Sequence, residues 1–254
     1  MAETLVLVPT YNEFENLERT IGRLRQAVPH ADVLIIDDAS PDGTGKLAAS
    51  LAAEDAAVSV LHRSSKSGFG SAAREGMRRA IVEGYRFVAV IDADGSHDSD
   101  ELPALIAAAA EGADLVIGSR WISGSDVKNW AVRRRLLSNL GNRYARTLLK
   151  SEVRDLTAGF RVYRTAILAK IGLSQVKSEG YAFNIEMTVR IAQAAGHIVE
   201  IPAAFTERAL GASKMVTKQF TEALGMVTTW GVTGVRAVPR ISRRHSDTGE
   251  FPRS

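Results

Sequence analysis

Short apolar runs alternate with amphipathic, helix-like stretches along the first half of the chain. The runs are rich in Val, Ile and Leu and alternate little with polar residues, as strands buried on both faces of a parallel sheet do. The predicted strands are Thr4–Pro9, Val33–Asp38, Val58–Arg63, Phe87–Asp92, Leu115–Arg120 and Ile198–Pro202. The predicted helices between them are Glu15–Ala27, Thr44–Ala53, Ser71–Glu83 and Glu101–Ala110. This rhythm predicts an α/β fold with a mainly parallel, doubly wound sheet flanked by helices.

The pattern loosens after residue 120 and becomes mainly helical. A short strand followed by a helix is predicted within 160–172. The longer helical segments are Arg133–Lys150, which is strongly basic, Tyr181–Ala195, and the amphipathic Met215–Val238. We therefore predict three parts of the chain, which are a main domain over 1–210, an amphipathic helical appendage over 211–240 and a disordered tail over 241–254.

Composition and charge say more about the cellular environment of the protein than about its function. The 254 residues carry a net charge of +3, which permits anionic partners without choosing among them. Cysteine is absent, so disulfide and thiol chemistry are excluded and a reducing cytosol is the expected environment. No apolar run reaches the ~18 residues of a membrane span, and the N-terminal stretch MAETLVLVPTYNE does not resemble a signal peptide.

Acidic side chains follow several predicted strands where each strand ends. Glu13 follows the first strand, Asp37 and Asp38 end the second, and Asp92 and Asp94 end the fourth. Because the carboxyl ends of parallel strands meet at one edge of a sheet, we expect these acids to converge. Clustered carboxylates repel one another unless they share a cation. Taken alone, Asp92 and Asp94 fit a solvated turn as well as a site. Asp37 and Asp38 are more typical of a turn before a helix, and Glu13 of an acid placed at a helix N-terminus. Only the joint pattern favours a site.

The spacing of Asp92 and Asp94 suits a metal. Residues at i and i+2 of an extended chain point to the same side, and Gly95 permits the sharp turn that follows. Two carboxylates so placed can hold a hard divalent cation, Mg²⁺ or Mn²⁺, which keeps coordination positions open for a diphosphate.

Several motifs together resemble a known family. In chain order, VPTYNE, VLIIDDASPDGT, GFGSAAREG and VIDADGSH are similar to the inverting family-2 glycosyltransferases, which have the GT-A fold. Further on, SRW, DLTAGFRVYR, GYAFNIEM and ERALGASK resemble the polyprenol-phosphate mannosyltransferase group of that family. The resemblance runs from residue 4 to residue 220, and it makes 1–210 the catalytic domain.

The resemblance implies a reaction and a nucleotide pocket. The expected reaction transfers mannose from GDP-mannose to a polyprenyl monophosphate, and transfer of glucose from UDP-glucose is the alternative. The residues that the resemblance places around the base and ribose are Pro9, Tyr11, Glu13, Ile36 and Asp38.

The resemblance also implies a metal and phosphate site. Asp92 and Asp94 would bind Mg²⁺ or Mn²⁺ and the diphosphate, with Ala93 lining the same loop, and Arg120 would contact the donor sugar or phosphate. Ser96 stands where many relatives carry Gln, so as a third metal ligand it would be weaker or act through water.

The acceptor is expected to need cations rather than a base. A phosphate monoester has a second pKa of about 6 and is already anionic at neutral pH. By resemblance, Arg208 and Lys214 would reach the phosphates of the donor or acceptor. Asp155 is expected to orient a nearby arginine through an ion pair, and Gly159 to allow close approach of the backbone.

The basic helices raise the question of a membrane. Arg133–Lys150 and Met215–Val238 suit interfacial helices on anionic headgroups, or else helices that cover the sheet or pair in a dimer. We expect a cytoplasmic protein attached peripherally to the cytoplasmic face of the membrane, directly or through a membrane-bound partner subunit.

Rival classes fit the sequence less well. A sugar nucleotidyltransferase would need a Gly-rich, basic loop after the first strand, where this chain has PTYNEFENL. A non-enzymatic receiver-like signalling module would carry its acidic pair on the first strand and would be a much smaller domain. Nucleic-acid binding is not predicted, because the basic residues show little aromatic interleaving.

Overall fold

A computed structural model describes residues 2–128, 132–206, 217–237 and 240–243. Strands and helices alternate as the hydrophobic pattern predicts. The strands are β1 Thr4–Thr10, β2 Asp32–Asp37, β3 Val58–His62, β4 Phe87–Val90, β5 Leu115–Ser119, β6 Val127–Lys128, β7 Arg161–Arg164, β8 His197–Pro202, β9 Phe205–Thr206 and β10 Arg240–Arg243. The helices are α1 Phe14–Ala27, α2 Thr44–Glu54, α3 Phe69–Val82, α4 Leu102–Ala110, α5 Val132–Leu149, α6 Thr165–Lys170, α7 Gly180–Gln193 and α8 Thr217–Val232.

The main sheet has eight strands in the order β10-β8-β5-β7-β4-β1-β2-β3. All neighbouring strands run parallel except β7, which is antiparallel to both β4 and β5. The predicted α/β class and mainly parallel sheet are therefore confirmed. The periodicity of the sequence did not reveal that β7 would enter the middle of the sheet with its direction reversed.

Each central strand feeds a hydrophobic core on both faces of the sheet. Leu5 and Leu7 of β1 pack into one core, and Val6 and Val8 pack into the other, because successive side chains of a strand point to opposite faces. Helices α3 and α5 to α8 contribute to the first core, and α1, α2 and α4 to the second. Burial on both faces explains why these strands read as unbroken apolar runs.

The C-terminal part differs from the sequence-based expectation. Residues 241–243, which were expected in the disordered tail, belong to β10, which pairs parallel with β8. The edge of β8 offers unpaired backbone groups, and a short strand there satisfies them. The predicted boundary at residue 210 and the rest of the tail, 244–254, lie outside the described residues.

Within the described ranges, no helix combines the length and the apolar character that crossing a membrane requires.

Candidate functional site

The carboxyl ends of β1, β2 and β4 lie side by side at one edge of the sheet. Pro9 is opposite Ile36 across the β1–β2 pair, and the pairing continues where the Asp38 amide donates to the Thr10 carbonyl at 3.0 Å. On the other side of β1, the Ile91 amide donates to the Leu7 carbonyl at 3.1 Å. The loops that carry the predicted nucleotide and metal residues therefore begin at neighbouring points.

The loop after β4 is held in place by a hydrogen bond from α1 and by a hydrogen bond within its own turn. The hydroxyl of Thr20 donates to the Ala93 carbonyl at 2.9 Å. Asp94 is buried, and its Oδ1 accepts the Ser96 amide at 3.0 Å, while Gly95 takes the left-handed conformation at φ 71°. The side chain of Asp92 remains 37% exposed at the rim. Asp92 therefore faces the open edge, and Asp94 is held in a defined rotamer beside it.

The hydroxyl of Ser96 is buried beside Asp94 and has no hydrogen bond within the described part of the chain. Buried hydroxyls are normally paired with protein or water. A hydroxyl oxygen in this loop that lacks a partner among the described residues fits a site where a cation, or a water bound to that cation, would contact it.

The acidic pair at the end of β2 has a different role. The Asp38 carboxylate accepts amide hydrogen bonds from Ser67 at 2.9 Å and Gly68 at 2.8 Å, and it pairs with Arg63 at 2.6 Å. Asp38 thus anchors the loop between β3 and α3. That loop carries Lys66, whose Nζ lies 3.7 Å from the centre of the Tyr11 ring. Asp38 therefore shapes the expected nucleotide pocket by holding a loop.

The other residues expected around the nucleotide are also hydrogen-bonded or packed within the protein. The backbone amide of Glu13 donates to the Thr44 hydroxyl, and its carboxylate accepts from Asn16, both at 3.0 Å. The side chain of Ile36 is fully buried in the core, so only its backbone can face the pocket. Pro9 is half-buried at the end of β1.

The strand ends that carry the acids meet at one edge of the sheet, as expected. In the part of the chain that the structure describes, no group of at least three His, Cys, Asp or Glu side chains is placed to hold a metal. At the end of β2, backbone amides and Arg63 bind the carboxylates of Asp37 and Asp38. The loop after β4 carries the two aspartates that are the candidate metal ligands.

Arg120 belongs to a buried network on the other side of β7. Its guanidinium forms two hydrogen bonds of 2.8 Å to the Asp155 carboxylate and one of 2.9 Å to the Thr157 hydroxyl. The predicted ion pair of Asp155 with an arginine is therefore confirmed. Burial acts to lower the pKa of Arg120, but the carboxylates of Asp155 and, to a smaller extent, Asp92 keep it above its ordinary value.

A second carboxylate, that of Glu200, accepts hydrogen bonds from the backbone next to this ion pair. Glu200 is fully buried in β8, and it accepts the Ser119 hydroxyl and the amides of Arg154 and Asp155 at 2.9 to 3.0 Å. Burial raises the pKa of Glu200, and the donors offset this only in part. Burial also acts to raise the pKa of Asp155, but the charge and hydrogen bonds of Arg120 overcome it and leave that pKa below its ordinary value.

Other residues of this site were missed or are not described. The backbone does approach closely at Gly159, as expected, and the neighbour it approaches is Asp92, because a Cβ atom there would be 3.3 Å from Oδ2 of Asp92. Glu200 could have been suspected from a charge inside the apolar run HIVEIP, whereas the chain pattern gave no signal for Thr20. Arg208 and Lys214 lie outside the described residues.

Comparison with known proteins places this geometry in a family. The model of the family described as Glycosyl transferase family 2 matches residues 5–172. A polyprenol monophosphomannose synthase of Mycolicibacterium smegmatis is 47% identical over 232 residues, which cover 91% of this chain and 88% of that protein. An undecaprenyl-phosphate mannosyltransferase of Micrococcus luteus is 47% identical over 237 residues, covering 92% and 97%.

Solved structures share the fold at much lower identity. The mannosyltransferase PcManGT of Pyrobaculum calidifontis, in complex with GDP-Man and Mn²⁺, has a TM-score of 0.59 and 16% identity, covering 91% of this chain and 63% of its own. Glucosyl-3-phosphoglycerate synthase of Mycobacterium tuberculosis, with Mn²⁺, UDP and phosphoglyceric acid, has a TM-score of 0.63 and 18% identity, covering 91% and 76%. These similarities confirm the GT-A fold.

Proposed function

Since the chain belongs to glycosyl transferase family 2, we propose that it transfers mannose with inversion from GDP-mannose to a polyprenyl monophosphate, using Mg²⁺ or Mn²⁺. The observation that carries the proposal is 47% identity, over more than nine tenths of the chain, to two proteins named for mannose transfer to such lipids. The exposed Asp92 and the buried Asp94, side by side at the sheet edge, support it.

The residues at the end of β4 fit a hard cation. Asp92 and Asp94 provide carboxylate oxygens, and Ser96 provides a buried hydroxyl without a partner among the described residues. Such a set leaves room for diphosphate oxygens and water, as Mg²⁺ and Mn²⁺ sites with substrate phosphates commonly do. The cation, when bound, neutralises charge that develops on the departing GDP.

The proposed reaction needs no general base, because its acceptor is a phosphate that is already deprotonated near neutral pH. A phosphate oxygen of the lipid forms the new bond to the anomeric carbon while the bond from that carbon to GDP breaks. The attacking phosphate is already anionic near neutral pH, because its second pKa is about 6. What the reaction requires is positioning of two phosphates by cations. We assign this to Arg120, which Asp155 orients, and to Arg208 and Lys214.

Helix α5 supports the proposed contact with a membrane surface. Its outer side exposes Leu136, Leu137, Leu140 and Tyr144, of which Leu136 is 59% exposed. A groove of about 560 Å³ between α5 and α8 continues this apolar surface. Arginines flank it, so the helix combines apolar burial with attraction to anionic headgroups. We propose peripheral attachment to the cytoplasmic face, and a membrane-bound partner subunit stays a prediction.

The donor and acceptor are tested together. The purified chain is incubated with undecaprenyl or dolichyl phosphate in detergent micelles, Mn²⁺, and radiolabelled GDP-mannose, UDP-glucose or UDP-N-acetylglucosamine. Label is expected in the organic phase from GDP-mannose, and only when lipid phosphate and metal are both present. Label from UDP-glucose alone would overturn the donor assignment, and no lipid-linked label from any donor would overturn the reaction.

The membrane proposal is tested separately by flotation with vesicles that contain anionic lipid. Leu136→Asp and Leu140→Asp place charge on the exposed face of α5 and should reduce vesicle binding without lowering the melting temperature. An equally charged substitution at Ala49, on the exposed side of α2, serves as the control. Unchanged binding of both α5 variants would remove this helix from the proposed contact.

A further inference from the structure

The imidazole of His97 is almost completely buried beside the loop that carries Asp92 and Asp94. Its side chain is 2% exposed. It stacks on Phe160 with ring centres 5.2 Å apart and meets the edge of Phe205 at 5.5 Å. The backbone of His97 also forms an antiparallel bridge with Phe205. Two rings and a backbone bridge therefore hold the plane of this imidazole in place beside Asp92.

The ring is directed at a carboxylate that the proposed function uses. Nε2 of His97 lies 3.5 Å from Oδ2 of Asp92. The backbone at Gly159 approaches the same oxygen, since a Cβ there would lie 3.3 Å from it. Imidazole and backbone thus restrict Oδ2, while the Asp92 side chain keeps 37% of its surface in contact with solvent at the sheet edge.

The other ring nitrogen shows that packing alone does not explain a histidine here. Nδ1 of His97 is buried and has no hydrogen-bond partner among the described residues. An unpaired buried nitrogen is unfavourable, and phenylalanine would fill a space between two aromatic rings without that cost. The benefit of an imidazole must therefore lie on its Nε2 side, where Asp92 is.

We propose that His97 is a positioning residue that donates from Nε2 to Asp92 and fixes the direction in which the Asp92 carboxylate faces the divalent cation. This inference rests on the proposed function. Groups that hydrogen-bond to metal ligands in this way commonly change metal affinity by about 10–100-fold. His97 is expected to act through Asp92 and not to touch the substrate.

The test measures Mn²⁺ binding directly, by electron paramagnetic resonance of free Mn²⁺ in the presence of the purified full chain and GDP. His97→Phe keeps an aromatic ring and removes the donor, so affinity should fall about 10–100-fold while the melting temperature stays or rises. His97→Gln packs less well but keeps an amide donor near the Nε2 position, so Mn²⁺ affinity should stay within about 3-fold. His97→Met repeats the loss of the donor with an adaptable apolar side chain.

A structural role predicts the opposite ranking, because Phe and Met would then preserve binding better than Gln. That ranking, or wild-type affinity in both apolar variants, overturns the inference. Wild-type chain that binds no Mn²⁺ with GDP overturns the metal part of the proposed function and this inference with it. If mannose transfer fails although Mn²⁺ binding follows the expected ranking, the proposed reaction is wrong and the role of His97 stands.

Discussion

Two aspartates lie at the carboxyl end of β2 and two more lie in the loop after β4, at the same edge of the sheet, and the two pairs have different surroundings. At β2, the Asp38 carboxylate is occupied by Arg63 and by the amides of Ser67 and Gly68. At β4, Asp92 keeps a third of its side chain exposed. Similar sequence signals therefore encode a structural anchor in one loop and candidate metal ligands in the other. The difference lies in the donors that the surrounding loops bring to each carboxylate.

The largest expected effect is on activity at the β4 pair. Asp94→Ala should reduce metal-dependent transfer by at least about 1,000-fold, corresponding to several kcal/mol of transition-state stabilisation. Asp94→Asn is the matched variant, because its amide oxygen still accepts the Ser96 amide. We expect both variants to be inactive at saturating Mn²⁺ and to keep the wild-type circular dichroism spectrum. Full activity in either would refute the metal assignment.

The next effect concerns stability in the buried network. Asp155→Ala leaves the guanidinium of Arg120 buried without its carboxylate, which should lower the free energy of unfolding by about 3–5 kcal/mol. Adding Arg120→Met removes the unpaired charge and should recover part of the loss. Urea denaturation of the two variants measures this. If the single variant loses less than about 1 kcal/mol, the pair does not stabilise the fold as proposed.

A direct comparison of the two strand ends uses the same substitution at each. Asp38→Asn should cost about 2 kcal/mol, because it weakens the Arg63 pair and places an amide group against backbone donors. Asp92→Asn should cost less than about 1 kcal/mol, since its carboxylate is partly solvated. Conversely, Mn²⁺ affinity should fall only in the Asp92 variant. Equal losses of stability would erase the distinction between the two pairs.

The smallest expected effect is a pH dependence of stability that arises from Glu200. This buried carboxylate accepts hydrogen bonds from Ser119 and from two backbone amides. Its pKa is raised in the folded state, so it binds a proton at higher pH when folded than when unfolded. Its contribution to stability therefore increases as the pH falls from that raised value towards about 4.3, by at most about 1.4 kcal/mol per pH unit. Glu200→Gln removes this gain.

The corresponding measurement is urea denaturation of wild type and Glu200→Gln at pH 7, 6 and 5. The stability of the wild type relative to the variant should rise as the pH is lowered. A difference that stays constant over this range would mean that Glu200 does not titrate there.

Much of the fold was predictable because it depends on local periodicity. The apolar runs at β1, β2 and β5 become strands whose bounds agree with the prediction to within one residue at each end. The antiparallel direction of β7 was not predictable. A strand of only four residues with mixed polarity carries no signal for the strands with which it pairs.

The candidate site was predictable in its residue types and less so in their roles. The motif at Asp92 and Asp94 indicates carboxylates at a strand end, and the structure has them there. That Asp38 would anchor a loop depends on Ser67 and Gly68, which are 29 and 30 residues away along the chain. The contact of His97 with Asp92 likewise depends on rings from two other segments that enclose it.

The sequence by itself determined the α/β class, the strands that end at one edge and the family, because these follow from periodicity and from motifs whose residues are close together in the chain. The tertiary structure alone decided that Arg63 and backbone amides enclose the Asp38 carboxylate and that the Asp92 side chain stays 37% exposed. A carboxylate's role depends on the donors around it, and those donors come from distant segments that only folding brings together.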